Sequence, residues 1–350
     1  AKEWKLKQPT GKKLKVCFYN DVDDFHRIGN VPRGVLGYYR FVEPLELNFF
    51  YERRDKMLTL DVLFHELNHY MFDLLCVDNY QMAPWLSEGM AEYYGACRCD
   101  PTTKTMMYGQ IQEGRLVNLM DEMDGDNFQD LQSLMREYDI DATQYAWSWT
   151  LCHMLMENKA YKDKLKKYIE KIAKDSKVKR EPNPRNMSFQ WVPPDEAIAL
   201  FQKTLGIKDL DAFEQEWYAY IKSLNVQTAR GYHRAAMFCK QWNRPVRAAL
   251  YFRKAIDDFY SDNPSTYEEY ASLLIADDKA KEAIEVLQTG IKLDPMNPYM
   301  YKLLGDAHRK LSGESREQGK RLQLMALEMD PNDLDLYRGL GGGGLAEPGG

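Results

Sequence analysis

Two Asn-Pro pairs, Asn263-Pro264 and Asn297-Pro298, stand 34 residues apart, and Asp294-Pro295 and Asp330-Pro331 close the stretches that follow them. A fixed period of this length limits the local structure sharply. Each unit has room for two short helices and the turns between them, and a lone helix pair cannot bury its apolar face, so neighbouring units have to stack. Proline suits the first turn of a helix, where its missing N–H costs nothing, and just past a helix end it prevents continuation. Asn-Pro therefore reads as the start of a unit and Asp-Pro as its stop. Ala280, Ala283 and Ile284 fall where a second helix packs, and Ala248, Ala249, Tyr251, Phe252, Ala255 and Ile256 read as the second helix of an earlier unit. The Asp-Pro pairs are 36 apart, which predicts two extra residues in the last unit, placed at Gly313-Glu314.

With Leu304-Gly305 at the position of a Leu-Gly consensus pair, residues 229–338 resemble about three tetratricopeptide repeats with a capping helix. The resemblance implies an all-α solenoid that binds a protein partner. Residues 339–350, rich in glycine, read as a flexible tail outside the fold.

The remaining 228 residues are enough for one further domain. Of the whole chain, 44% is hydrophobic and 29% charged, a globular composition. The net charge of -6 argues against a nucleic-acid partner, which usually needs a basic face. No apolar run reaches the ~18 residues of a transmembrane helix. The six cysteines form no framework, and Cys97-Arg98-Cys99 lacks metal-ribbon spacing, so they read as structural or incidental. The chain begins at Ala1 without a methionine, which favours a secreted or periplasmic protein over a cytoplasmic one and leaves the compartment open.

Lys15 to Tyr19 and Glu46 to Tyr51 read as strands, with a turn at Gly34 to Gly37. Leu60, Leu63, Phe64, Leu67, Met71 and Leu74 recur at helical spacing, predicting a helix from Met57 to about Leu75, capped by Asp55 or Thr59. Pro84 opens a helix that runs to Gly95. Helices follow at Tyr145 to Asn158, Lys162 to Lys174 and Asp209 to Leu224. Prolines 182, 184, 193 and 194 make 176–194 a long loop.

His65-Glu66-Leu67-Asn68-His69 places two histidines four apart, on one face of the first of these long helices. This is the spacing at which two imidazoles share a zinc ion while the intervening glutamate serves as general base. Catalytic zinc takes a third protein ligand and keeps a position for water. Glu88 follows His69 after 18 residues, in Trp85-Leu86-Ser87-Glu88-Gly89-Met90-Ala91-Glu92-Tyr93. With that third acid, the region resembles the gluzincin metallopeptidases, close to bacterial gluzincin-like proteins joined to tetratricopeptide repeats. The resemblance implies an α+β chain: a zincin-like metallopeptidase domain with a small N-terminal sheet over 1–228, then the solenoid. It implies Zn2+ held by His65, His69 and Glu88, with Glu92 orienting a ligand histidine. Glu66 then acts as base on a metal-activated water that attacks a peptide or protein substrate.

The segment "QYAWSWTLCHML" resembles the aminopeptidase helix whose tyrosine faces the zinc, which implies Tyr145 as oxyanion donor, with Tyr138 in reserve; His153 reads as a packed core residue. The Gly-x-Met-Glu-Asn loop that holds a free amine in aminopeptidases has no counterpart in "GVLGYYRFVEPLELNFFYERRD". The strand from Glu46 is expected instead to pair with an extended substrate along the cleft. The alternative is a zinc-binding pseudoenzyme or scaffold whose repeats bind a protein partner.

Overall fold

The structure, a computed structural model, describes residues 13–53, 55–77, 79–224 and 227–337. The Gly-rich stretch 339–350 lies outside the described residues. The fold is mostly helical with small sheets, an α+β arrangement, and the chain divides between residues 226 and 227 into two compact units.

The first unit opens with strand β1 (Lys15–Tyr19), helix α1 (Val22–Gly29) and strands β2 (Gly37–Arg40) and β3 (Glu46–Phe50). They form one sheet in the order β1-β3-β2, with β1 parallel and β2 antiparallel to β3. The sequence reading placed strand β3 against a substrate. Both of its edges are taken by β1 and β2, all five of its residues are buried, and no backbone group is left to offer. The edge strands are β1 and β2, and at β2 the sequence showed only the turn at Gly34 to Gly37.

Helix α2 (Lys56–Asp73) packs on this sheet. Asp55 caps it, accepting from the amides of Met57 and Leu58; Thr59 instead accepts from the Glu52 amide. Helix α3 (Pro84–Gly95) starts on its proline as expected and is covered by α2 and by a later helix. A short hairpin, β4 (Arg98–Cys99) and β5 (Met106–Met107), is tied to α2 by Arg98 and Asp61 at 2.7 Å. Then come α4 (Glu113–Asp124), α5 (Leu131–Arg136) and α6 (Ala142–Glu157). Asp141 and Gln144 make a reciprocal capping box, so α6 starts three residues before Tyr145, which sits a turn inside rather than at its opening.

From Ala146 to Met156 every residue of α6 is buried, which explains its mostly apolar sequence; Thr150 and His153 are hydrogen-bonded inside the core. Its approach to α3 needs Gly89: a Cβ there would lie 2.4 Å from the Ser148 carbonyl oxygen and 2.7 Å from Cys152 Sγ. Around it pack α7 (Lys162–Lys174), α8 (Pro194–Leu205) and α9 (Leu210–Leu224), with Trp85, Trp147, Trp149 and Trp217 fully buried. The segment read as a plain loop carries a hairpin, β6 (Glu181–Pro182) with β7 (Gln190–Trp191).

The second unit consists of α10 (Ala229–Gln241), α11 (Pro245–Asp257), α12 (Pro264–Ala276), α13 (Ala280–Leu293), α14 (Pro298–Lys310), α15 (Glu314–Met329) and α16 (Leu334–Tyr337). Asn263 and Asn297 cap α12 and α14 through Ser265 and Tyr299 amides, each with proline in the first turn. The two extra residues of the last period lie inside α15, which has 16 residues against 14 in α13. The turns before these helices, 277–279 and 311–313, are equal in length, so Gly313-Glu314 holds no insertion. Gly305 and Gly319 bring α14 and α15 together so closely that a Cβ on either would strike the other's carbonyl oxygen, at 2.7 and 2.6 Å. All six cysteines are free. No described helix is long and apolar enough to cross a membrane.

Candidate metal centre

Helical spacing puts His65 and His69 one turn apart on α2, on the side facing α3, and Ser87 and Glu88, the fourth and fifth residues of α3, project toward them. The two imidazole Nε2 atoms are 3.1 Å apart. Glu88 Oε2 lies 3.2 Å from the first and 3.3 Å from the second. Three ligand atoms thus form a nearly equilateral triangle. A tetrahedral ion with ligand bonds of about 2.0–2.1 Å needs ligand atoms about 3.3 Å apart, which is this triangle's edge. His65, His69 and Glu88 form the one group among the described residues that has three such ligand atoms within bonding reach of a metal ion. Glu88 Oε2 is buried and accepts no regular hydrogen bond, so the donor set fits a cation at its centre.

The other nitrogen of each ring is held. His65 Nδ1 is 3.1 Å from Glu92 Oε1, and His69 Nδ1 is 3.2 Å from the Ser87 hydroxyl. These partners fix both rings with Nε2 directed inward. Glu92 lies one turn after Glu88, as the sequence placed it, and it is clamped in turn. Arg115 on α4 donates to it through Nε at 2.6 Å and Nη2 at 2.7 Å, and Gln112 Nε2 donates to its side chain and to its carbonyl, both at 3.2 Å. Arg115 and Gln112 escaped the sequence reading. Glu92 was read only as the acid that orients a ligand histidine; its burial, and with it the need for a cationic partner, is seen in the structure, and no pattern told which arginine would arrive from α4.

Charge in the cluster favours a cation. Burial works against a protonated His65, yet Glu88 and Glu92 overcome it and raise the imidazole well above its usual pKa; Glu88 does the same for His69. Burial would raise Glu88, but the two histidines hold it far below the usual carboxylate range. Glu92, also buried, is drawn down to about 2 by Arg115 and His65. Glu66 behaves in the opposite way: burial raises its pKa, only partly countered by the histidines. Its stem lies under β2, where a Cβ on Gly37 would sit 3.3 Å from Glu66 Cγ and 2.4 Å from Val62 Cγ1.

Tyr145 reaches this centre. Its ring is stacked on His65 at 6.3 Å and 19°, and the Arg115 guanidinium lies 5.4 Å from its centroid. Burial and the nearby Glu88 and Glu92 keep its hydroxyl protonated. Tyr138 is elsewhere, packed on Trp191 at 4.5 Å. His153 is buried, with Nδ1 2.6 Å from the Tyr220 hydroxyl and Nε2 3.1 Å from the Gly109 carbonyl, a core role. The centre opens into a cleft of ≈ 360 Å³ lined by His65, Glu66, His69, Glu88, Tyr145, the edge strand β2 and an apolar far end. No protein-family model and no curated protein matches this chain.

Proposed function

We propose that the chain is a zinc-dependent peptidase of the gluzincin kind, with a zincin-like catalytic domain and a tetratricopeptide-like solenoid that binds a protein partner or substrate. The observation that carries the reading is the Nε2–Nε2–Oε2 triangle of His65, His69 and Glu88, sized for a tetrahedral ion and open on one side to the cleft. Two imidazoles with one carboxylate is a donor set suited to zinc, which supplies Lewis-acid polarisation of a carbonyl and of water.

The protein groups carry the rest of the reaction. Glu66 lines the cleft with a raised pKa, so it is matched to taking a proton from the attacking water and returning it to the leaving amine. Tyr145 keeps its proton and donates it as a hydrogen bond to the developing oxyanion. The outer edge of β2 pairs with no strand among the described residues and borders the cleft, a position from which it would align an extended peptide, with the Tyr39 amide already bonded to the Glu66 carboxylate.

The test is Glu66→Gln, assayed on a fluorogenic peptide mixture beside zinc analysis. Zinc content is expected to persist and turnover to fall ~10²–10⁴-fold, the contribution of a general base. Equal cleavage by both proteins removes Glu66 from the mechanism. A wild type that binds zinc and cleaves nothing in the mixture turns the conclusion to a zinc-binding scaffold.

A further inference from the structure

The Pro-rich segment that the sequence left as a loop ends beside the metal centre. Its course is fixed by backbone hydrogen bonds. The Asn183 amide donates to the Phe189 carbonyl at 2.8 Å, the Phe189 amide to the Asn186 carbonyl at 2.9 Å, and the Asn186 amide to the Asn183 carbonyl at 3.1 Å. Gln190 then ties the hairpin to the chain leaving α2: its amide donates to the Asn79 carbonyl at 3.0 Å and its carbonyl accepts from the Gln81 amide at 2.8 Å. Trp191 and Val192, both buried, anchor the other side. These backbone bonds and buried anchors do not use the Phe189 side chain.

Phe189 nevertheless points into the cleft, where it meets Phe41 from the end of β2 edge-on, with ring centroids 5.2 Å apart at 82°. Phe41 is 50% exposed. A half-exposed ring and a partly buried one at a cleft mouth contribute little to a core, and an apolar surface of this kind commonly marks a binding site. Beneath them the wall is apolar, made of Phe72, Tyr80 and Met82. Among the residues lining this end the charged one is Asp73, and its Oδ2 already accepts the Tyr39 hydroxyl at 2.8 Å. The same cleft holds the metal triad and runs along the outer edge of β2, so a peptide lying beside β2 would lay a side chain against the two rings.

We infer that the β6–β7 hairpin selects the substrate: Phe189 and Phe41 form an aromatic clamp for a bulky aromatic side chain of the peptide. This rests on the peptidase reading of the metal centre. Offset and edge-on packing of a third ring supplies the attraction, and Asp73, the one charged group lining this end, works against acidic side chains.

The experiment compares peptides that differ only in bearing a benzyl or a methyl side chain next to the scissile bond, and two peptide hydroxamates with the same pair of groups. It uses the zinc-loaded full chain, with kcat/KM for the peptides and calorimetric affinity for the hydroxamates. The wild type is expected to prefer benzyl by 10-fold or more in both readouts, the scale of apolar-pocket discrimination. Phe189→Ala and Phe41→Ala should each reduce that ratio by about an order of magnitude, and Phe189→Leu should restore part of it. Phe189→Trp, which narrows the mouth, should shift the preference toward methyl. A wild type that shows no benzyl preference, or alanine variants that keep it, overturns the clamp. Hydroxamate selectivity without any peptide cleavage leaves the clamp standing and sinks the peptidase reading. If neither hydroxamate binds, the clamp is overturned.

Discussion

Arg115 gives the sharpest quantitative expectation. It is 12% exposed, and two of its nitrogens donate to a Glu92 carboxylate that is 6% exposed. Removing one partner of a buried ion pair strands the other, at about 3–5 kcal/mol. The titration of Glu92 gives an independent figure. Against burial, which would raise it, Arg115 and His65 together draw its carboxyl to about 2, compared with 4.5 for an exposed glutamate. That difference favours the ionised folded form by roughly 3 kcal/mol. Because the folded pKa is depressed, this stability is complete above pH ~4.5 and is lost as pH falls toward 2. Arg115→Met keeps the aliphatic stem and removes the donors. Urea unfolding followed by fluorescence of the buried tryptophans should show a loss of about 3 kcal/mol at pH 7, shrinking toward zero between pH 4.5 and 2. A loss below about 1 kcal/mol at pH 7 would refute the argument. So would a loss independent of pH, which would assign the cost to packing on Tyr145 rather than to charge.

Other perturbations address the site and its support. His65→Ala and His69→Ala should each abolish stoichiometric zinc in elemental analysis; metal retained by the double variant would end the triad assignment. Tyr145→Phe should lower turnover by ~10²-fold with zinc still bound, and an unchanged rate would relegate the residue to packing. Gly89→Ala forces a methyl against the Ser148 carbonyl and Cys152; it should cost about 1–3 kcal/mol and weaken zinc binding by displacing Glu88, whereas an unchanged melt would show that α3 and α6 separate freely.

Much of the site was legible because it is local. His65 and His69 share a helix face by spacing alone, and Glu88 and Glu92 are one turn apart on the next long helix. The helix starts at Pro84, Pro264 and Pro298 were equally plain, since a cap and a proline declare themselves within a few residues. What escaped was non-local. Arg115 approaches Glu92 from 23 positions away. β2 was hidden by the glycines around it, although Gly37 is there because β2 crosses Val62 and Glu66 at close range. The run Glu46 to Phe50 read as a substrate-facing strand; all five residues are instead buried between β1 and β2, with Glu46 paired to Lys15 and Arg40. The extra pair of residues in the last repeat went into α15, since a helix absorbs them at its end while the turn length is set by the packing of Gly305 against Gly319.

The two ring-holding contacts at the centre are chemically unequal. His65 is backed by the charged Glu92, His69 by the neutral Ser87 hydroxyl. A carboxylate behind an imidazole makes it a stronger donor than a hydroxyl does. If zinc were held there, His69 would be the weaker of the two histidine ligands and His65 with Glu88 the more lasting pair. Ser87→Asp, which gives His69 a carboxylate of its own, would even the two histidines.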